Sequence, residues 1–255
     1  IWEIGECMKR IISVVLALSL LLAVTACGQK EQNENQNGGS GAGSSAAQQA
    51  DSKGRVADKY HELLDGENTV YYYEADVVAE FVDDESAEPE ESVMAEGQDK
   101  TGRHTVATGY SGLEMREIGT KDYNYSVDDT SKEYSKMEIE EIEEMDLTYN
   151  ETGEMELDGK SWKYDEYLQK YEMEGFSEDG EEAVIDTYLY KKRYLVDEKG
   201  ELYAIVTLQE EQGEGGAENH LIHREVDTIT KFEEGKAPEE FFEIPDDYKE
   251  VESLG

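Results

Sequence analysis

Cysteine is almost absent from this chain, which holds two cysteines and three prolines in 255 residues. Cys7 precedes the first methionine and Cys27 closes an apolar run, so no cysteine is left for the part of the chain that could fold. This excludes a disulfide framework, a cysteine-ligated zinc cluster and a cysteine nucleophile. The 229 residues from Cys27 to Gly255 are enough for one domain held by its own core, with a tail.

Positive charge is also scarce. The chain has 23 Lys and Arg against 63 Asp and Glu, which gives a formal net charge of −40. Such a charge keeps a protein soluble and repels nucleic acid, so DNA or RNA partners are excluded. We interpret the acidity as scattered charge on solvated faces; a cation store is the alternative.

Long apolar runs are missing except for one, from Ile11 to Val24, which follows Lys9 and Arg10. A basic start, a short apolar middle and small residues before Cys27 are typical of a secretion signal that ends in a lipobox. We therefore predict that Cys27 carries a diacylglyceryl group and holds the protein on the outer face of the cytoplasmic membrane of a Gram-positive bacterium. An ordinary signal peptide with a chance cysteine, or an uncleaved anchor, are the alternatives.

Three segments are predicted. Residues 1–26 are a few upstream residues plus the lipoprotein signal peptide. Residues 27–52 are the lipidated cysteine and a tether of Gly, Ser, Asn, Gln and Ala, which cannot bury enough apolar surface to fold and reaches about 25 to 30 Å. Residues 53–255 are the folded domain.

Hydrophobic periodicity divides this domain into short helices and many strands. Helical spacing predicts a helix over 51–65, and a capping box at Ser135 predicts a second helix over 136–147. Period-two alternation over 70–82 predicts a long strand with one buried face. Turn-like tetrapeptides separate the further segments, so neighbouring strands form antiparallel hairpins. The further predicted strands are 92–96, 103–108, 113–118, 122–127, 132–136, 161–169, 184–196, 201–209 and 220–232.

Tyrosine is abundant, at 17 residues, and many tyrosines fall on predicted strands. With neighbouring apolar residues they could line a concave apolar face with their hydroxyls at its rim, which makes them the candidate ligand cavity. The alternative is that they fill an ordinary core. The candidates are Tyr71, Tyr73, Val77, Phe81, Tyr123, Tyr125, Tyr188, Tyr190 and Tyr203.

Catalytic and metal-binding motifs are not recognisable. The segment from Gly109 to Gly112 has Leu113 where a nucleophile elbow needs glycine. His220 and His223 are three apart on a predicted strand, so they point to opposite faces unless a bulge intervenes. We predict neither an enzyme nor a bound cofactor.

Three segments carry a resemblance to a known family: GTKDYNYSVDDTSKEYSKM, RYLVDEKGELYAIV and FFEIPDDYKEV. Their order after a lipobox and a tether resembles the LolA/LolB/LppX-like superfamily of lipoprotein-carrier-like domains, over residues 55–251. The resemblance implies an α+β, mainly β fold, in which short helices cover a curved antiparallel sheet, an open half-barrel. It also implies an apolar cavity for acyl chains.

Two functions follow as hypotheses. The first is a membrane-anchored extracytoplasmic lipoprotein that binds an apolar ligand, a lipid or acyl chain, non-catalytically. The second is a cell-envelope interaction or sensor domain without a small-molecule ligand. A shuttle between membranes fits poorly, because Cys27 would anchor the chain.

Overall fold

The computed structural model describes residues 54–66, 68–82, 87–139, 146–176, 183–213 and 217–254. The predicted signal peptide, Cys27 and the tether lie outside these residues. Among them are one α-helix, α1 (Asp58–Leu64), and twelve strands. None of the described helices has the length and apolar character needed to cross a membrane. The strands are β1 (Tyr71–Phe81), β2 (Glu90–Gln98), β3 (His104–Gly109), β4 (Met115–Gly119), β5 (Tyr123–Asp128), β6 (Glu133–Glu138), β7 (Thr148–Leu157), β8 (Lys160–Phe176), β9 (Ala183–Val196), β10 (Leu202–Glu211), β11 (His220–Glu234) and β12 (Lys249–Glu250).

All twelve strands form one open sheet, in the order β12-β6-β5-β4-β3-β2-β1-β11-β10-β9-β8-β7. The chain runs outward from β1 to β6, crosses to the other edge at β7, and returns strand by strand until β11 pairs with β1. Every pairing is antiparallel except the short one between β12 and β6. The predicted mainly β class, with an antiparallel sheet that does not close, is confirmed.

Three local predictions need correction. Residues 136–138 belong to β6 rather than to a second helix, and residues 140–145 of that predicted helix lie outside the described residues. The first helix begins at Asp58 instead of residue 51. Strand β7 was not predicted: its first five residues are exposed throughout, and only in its second half do Met155 and Leu157, which pack against a core, alternate with exposed Glu154 and Glu156.

Aspartates set two of the predicted hairpin turns in the same way. In the β2–β3 turn, the Asp99 carboxylate accepts the backbone N–H groups of Thr101 and Arg103 at 2.8 and 3.0 Å. In the β9–β10 turn, Asp197 accepts those of Lys199 and Glu201 at 2.8 and 2.9 Å. A short side chain that caps its own turn fixes the hairpin register.

The helix α1 lies on one face of the sheet and covers the main core. Tyr60 and Leu64 of the helix are buried against strand residues such as Tyr71, Tyr194 and Ile205. We call this the helix-covered face. Because successive strand residues alternate, the even-numbered residues of β1 belong to the opposite face.

The opposite face has two cores of its own. One lies on β8–β11 around Leu195 and Val206. The other is made by the C-terminal segment, where a 3₁₀ turn (Glu239–Phe242) buries Phe241 and Phe242 against Tyr72.

Arg116 holds this C-terminal segment in place. Its guanidinium donates to the carbonyls of Phe241 and Glu243 at 3.2 and 3.0 Å, while two further donors reach Asp129 at 2.7 Å. Gly97 lies beneath the segment, where a Cβ would come within 3.3 Å of the Phe242 ring. The C-terminal segment FFEIPDDYKEV, which we call the clasp, is therefore a packed part of the fold.

Candidate functional site

The nine predicted cavity residues are divided between the two faces of the sheet. Six follow the alternation of β1 and β9 that faces α1: Tyr71, Tyr73, Val77, Phe81, Tyr188 and Tyr190. Three lie on the opposite face: Tyr123, Tyr125 and Tyr203. The sheet therefore does not bring all nine together around one space.

Tyr71 and Tyr73 use their hydroxyls inside the core. They donate to the two oxygens of the buried Glu96 carboxylate at 2.7 and 2.6 Å, and His104 Nε2 lies 3.0 Å from the first of these oxygens. Burial would raise the pKa of Glu96, but the hydrogen bond and charge of His104 outweigh it and lower this pKa to about 2. Burial and Glu96 raise the pKa of both tyrosines. These hydroxyls are thus committed to the core, with none left for a rim.

The helix is fastened to the sheet at its C-terminal end by a buried ion pair. Lys192 Nζ of β9 donates to Asp65 Oδ1 at 2.7 Å, and Tyr194 and His61 contact Asp65 Oδ2. Burial opposes the charge of Asp65, but Lys192 and His61 prevail and lower its pKa to about 2. Truncating one member of a buried pair is strongly destabilising. Helix α1 is therefore a fixed part of the core.

Beyond the helix, β11 carries two carboxyl groups on the same face, the partly buried Glu225 and the buried Asp227. Asp227 is 4% exposed, and its Oδ1 has no hydrogen-bond partner among the described residues. Its strand partners are Val77 and Ile205, whose side chains cannot donate. Burial, with the nearby charge of Glu225, raises the pKa of Asp227 well above its usual value, and burial raises that of Glu225. Asp227 is therefore a buried carboxyl whose surroundings oppose its ionisation.

A cleft of about 870 Å³ opens at the end of the sheet, between the β7–β8 turn, the β9–β10 turn and the residues just before α1. We call it the end cleft. It is lined by Val56, Glu154, Lys160, Ser161, Trp162, Lys163, Val196, Asp197, Glu198, Lys199 and Gly200.

The end cleft combines a fixed aromatic ring with apolar and charged side chains. Trp162 stacks on Tyr203, with ring centroids 3.7 Å apart and planes within 5°, and its indole N–H donates to Leu157 O at 3.1 Å. Val56 and Val196 also belong to the core beneath α1. The end cleft thus reaches from solvent to the edge of that core.

No catalytic constellation accompanies the cleft or the predicted motifs in the described part of the chain. Ser111 donates to Glu114 at 2.9 Å, without a histidine base. An irregularity in β10–β11 pairing lies between His220 and His223, but the described residues contain no group of three or more His, Cys, Asp or Glu that could hold a metal ion. His223 instead packs against Phe81, 4.8 Å between ring centroids.

No protein-family model matches this chain, and no curated protein matches it. Among solved structures, an uncharacterized conserved protein from Thermus thermophilus has 13% identity and a TM-score of 0.38, covering 77% of this chain and 96% of its own. A LolA superfamily protein from Nitrosomonas europaea has 7% identity and a TM-score of 0.33, covering 74% and 96%. A putative outer membrane lipoprotein-sorting protein domain from Vibrio parahaemolyticus has 8% identity and a TM-score of 0.28, covering 68% and 88%.

The second and third of these structures are of the kind that the sequence resembles. The fold class rests on the open sheet itself.

Proposed function

We propose that this protein is a lipoprotein held on the outer face of the cytoplasmic membrane by a diacylglyceryl group on Cys27, and that its domain binds an amphiphilic, lipid-like ligand without catalysing a reaction on it. The lipobox pattern before Cys27 supports the anchor. The polar segment 28–52 would let the domain stand off from the membrane surface.

The end cleft is the observation that carries the binding proposal. Its volume of about 870 Å³ is within the range usual for small-molecule sites, about 300 to 1,000 Å³. Val56, Val196 and the Trp162 ring offer apolar surface, and charged side chains share the lining. Such a mixed lining suits a ligand with an apolar chain and a polar end.

The space beneath α1 is a weaker candidate for the ligand. The hydroxyls of Tyr71 and Tyr73 are both taken up by Glu96, and the Asp65–Lys192 pair fixes the helix above them. Opening that space would leave buried charges without partners, which is costly. The end cleft reaches the same core at Val196 without moving the helix.

The test uses the chain from Gly28 to Gly255, in which Trp162 is the sole tryptophan, so its emission reports on the cleft directly. Monodecanoylglycerol and decanoate are titrated below their aggregation concentrations. We expect at least one of them to shift the Trp162 emission saturably. Ser161→Phe, which fills the cleft from an exposed position, should abolish the shift. Ser131→Phe, in the exposed β5–β6 turn, is the matched control and should retain it.

If neither probe produces a saturable shift, the binding proposal is refuted. It is also refuted if Ser161→Phe and Ser131→Phe lose the emission shift to the same extent. Circular dichroism melts of both variants establish that neither has simply unfolded.

One observation favours a second candidate, a protein-interaction domain. Among the strands that the structure describes, β7 pairs only with β8, and its other edge of ten residues, with Glu151, Glu154 and Glu156 along it, has no partner strand there. An extended, basic segment of a partner could add to this edge by backbone hydrogen bonding. Pull-down from envelope extracts, with Glu151, Glu154 and Glu156 changed to Lys as the control, tests this candidate.

A further inference from the structure

Two carboxyl groups of β11, Glu225 and Asp227, have neither an ion-pair partner nor a hydrogen-bond donor among the described residues. Asp227 is 4% exposed, and its Oδ1 is buried without a hydrogen bond there. Glu225 is partly exposed beside it. The pairing of β11 with both neighbours is regular from residue 223 to 228, so these side chains, two residues apart, share the helix-covered face. We call them the β11 acid pair.

The other buried carboxylates on this face show what the β11 acid pair lacks. Asp65 pairs with Lys192 at 2.7 Å, and Glu96 lies 3.0 Å from His104. Asp165 accepts a backbone N–H and a hydroxyl. Lys192 is in the same cross-strand row as the acid pair's outer member, but it lies two strands away and its ammonium group is taken by Asp65. A positive partner for the β11 acid pair is therefore missing from the described part of the chain.

The side chains around the β11 acid pair are small or aromatic. Ala79 of β1 and Thr207 of β10 are the direct cross-strand partners of Glu225, and both are short. Phe81 and Tyr190 lie in the next row outward, one on each side. Burial raises the pKa of Tyr190 to about 12, and the charge of Glu225 adds to this rise, so its hydroxyl lies within the field of the acid pair. The arrangement leaves space above Asp227 and borders it with aromatic rings.

We propose that the β11 acid pair binds the ammonium group of a small organic amine, with Asp227 at the floor of the site and Glu225 at its solvent side. An ammonium N–H would supply the charge-assisted hydrogen bond that Asp227 Oδ1 lacks. The rings of Phe81 and Tyr190 also favour a cation. The conditions that raise the pKa of both acids would be relieved by a positive charge beside them.

This site is separate from the end cleft, because no residue that lines the cleft belongs to β1 or β11. The two sites also differ in chemistry. The end cleft offers apolar surface, whereas the β11 acid pair offers negative charge at the bottom of a partly buried surface. The net charge of −40 attracts cations to the whole chain, but only the acid pair combines burial with missing partners on this face.

A metal ion suits the β11 acid pair less well than an amine. Same-face neighbours along a strand are about 7 Å apart, which is too far for Glu225, Asp227 and the next residue of that row, His223, to surround one ion closely. The described residues contain no group of three or more His, Cys, Asp or Glu that could hold a metal ion. An ammonium group needs only one or two acceptors, which the pair provides.

The test titrates three primary ammonium probes, methylammonium, butylammonium and benzylammonium, into the Gly28–Gly255 chain by calorimetry at about 0.15 M salt. Butanol and benzyl alcohol are the neutral counterparts, and calcium is the metal comparison. The site variants are Asp227→Asn and Glu225→Gln. Their matched controls are Asp76→Asn and Glu91→Gln, which make the same changes at exposed positions of β1 and β2.

We expect at least one ammonium probe to saturate at one equivalent per chain and to bind more tightly than its neutral counterpart. Each site variant should lose affinity for this probe by at least about tenfold, while the control variants bind like the original chain. Thermal melts distinguish lost binding from lost structure. The probe should raise the melting temperature of the original chain and leave that of Asp227→Asn unchanged, although this variant is itself folded and at least as stable.

Equal losses in the site and control variants would show loose attraction to the overall negative charge and would overturn the inference. So would equal binding of the neutral counterparts, binding of calcium without any ammonium probe, or failure of all three ammonium probes to bind. Each of these results would leave amphiphile binding at the end cleft standing.

Discussion

Replacing Asp227 by asparagine should stabilise this protein at neutral pH. Asp227 is buried between Val77 and Ile205, its Oδ1 has no partner among the described residues, and its pKa is raised well above the usual value. Asparagine has the same shape as the protonated carboxyl and does not ionise. The Asp227→Asn change therefore removes the ionisation that the fold opposes.

The direction in which stability changes with pH follows from the pKa of Asp227 in the unfolded and in the folded state. The unfolded carboxyl has a pKa near ~3.9, and the folded one is higher, so unfolding above that pH releases a proton. Stability is then fully present below about pH 4 and falls as pH rises, by up to about 1.4 kcal/mol per pH unit for one such group. At pH 7 the gain expected from Asp227→Asn is the stability lost through this ionisation, about 1.4 kcal/mol for each pH unit between the unfolded and the folded pKa.

Other buried acids shape the rest of the profile. Burial raises the pKa of Glu225, and it raises the pKa of Glu117 to about 7, so both add to the loss above pH 4. Asp65 and Glu96 have folded pKa values of about 2, so their contribution is present above pH 4 and is lost as pH falls toward 2. Maximum stability should therefore lie at mildly acidic pH, at about 4 to 5.

Urea unfolding followed by Trp162 emission, at pH values from about 4 to 7.5, measures the effect. A gain of about 2 kcal/mol raises the midpoint by about 1 M urea. The gain should vanish near pH 4, where both side chains are uncharged. Asp76→Asn, at an exposed position of the neighbouring strand, is the control for the change in net charge. A gain that is independent of pH, or equal in the two variants, would refute the reasoning.

Three further predictions concern the core, the clasp and the anchor. Lys192→Met should destabilise by about 3 to 5 kcal/mol because it leaves Asp65 buried and unpaired; a thermal melt that matches exposed Lys170→Met would contradict this. Phe242→Ala, which empties a packed site in the clasp, should lower the free energy of unfolding by about 3 to 5 kcal/mol. A decrease below about 1 kcal/mol in urea unfolding would show that the clasp does not hold the sheet. Cys27→Ser should abolish incorporation of labelled fatty acid and release the protein from membranes; retained label would place the lipid elsewhere.

Much of the sheet could be predicted from the sequence because its strands have one buried face. The alternation around Tyr71 and Tyr73 marks β1, and aspartates such as Asp197 mark the turns. Strand β7 escaped because its first half is exposed throughout, as an edge strand allows, and only Met155 and Leu157 mark a packed face in its second half. The predicted second helix overlaps β6 because pairing prevails there over local propensity: Lys136 pairs with Tyr125 and lies 3.5 Å from the Tyr123 ring centroid.

The candidate site was much less predictable. Tyrosine abundance was visible, but nothing in the sequence shows that Glu96 would take up two tyrosine hydroxyls, since these residues are more than twenty positions apart. The end cleft joins residues near 56, 154–163 and 196–200, which only the order β10-β9-β8 brings together.

Mass spectrometry of the Gly28–Gly255 chain, purified from a lipid-containing host, tests the central claim most directly. Under native conditions we expect an additional mass that is lost on denaturation and is identified as an amphiphile, and we expect Ser161→Phe to lack it while Ser131→Phe retains it. A clean mass for the unmodified chain, with no uptake of added decanoate or monodecanoylglycerol, would contradict the claim that the end cleft binds a lipid-like ligand.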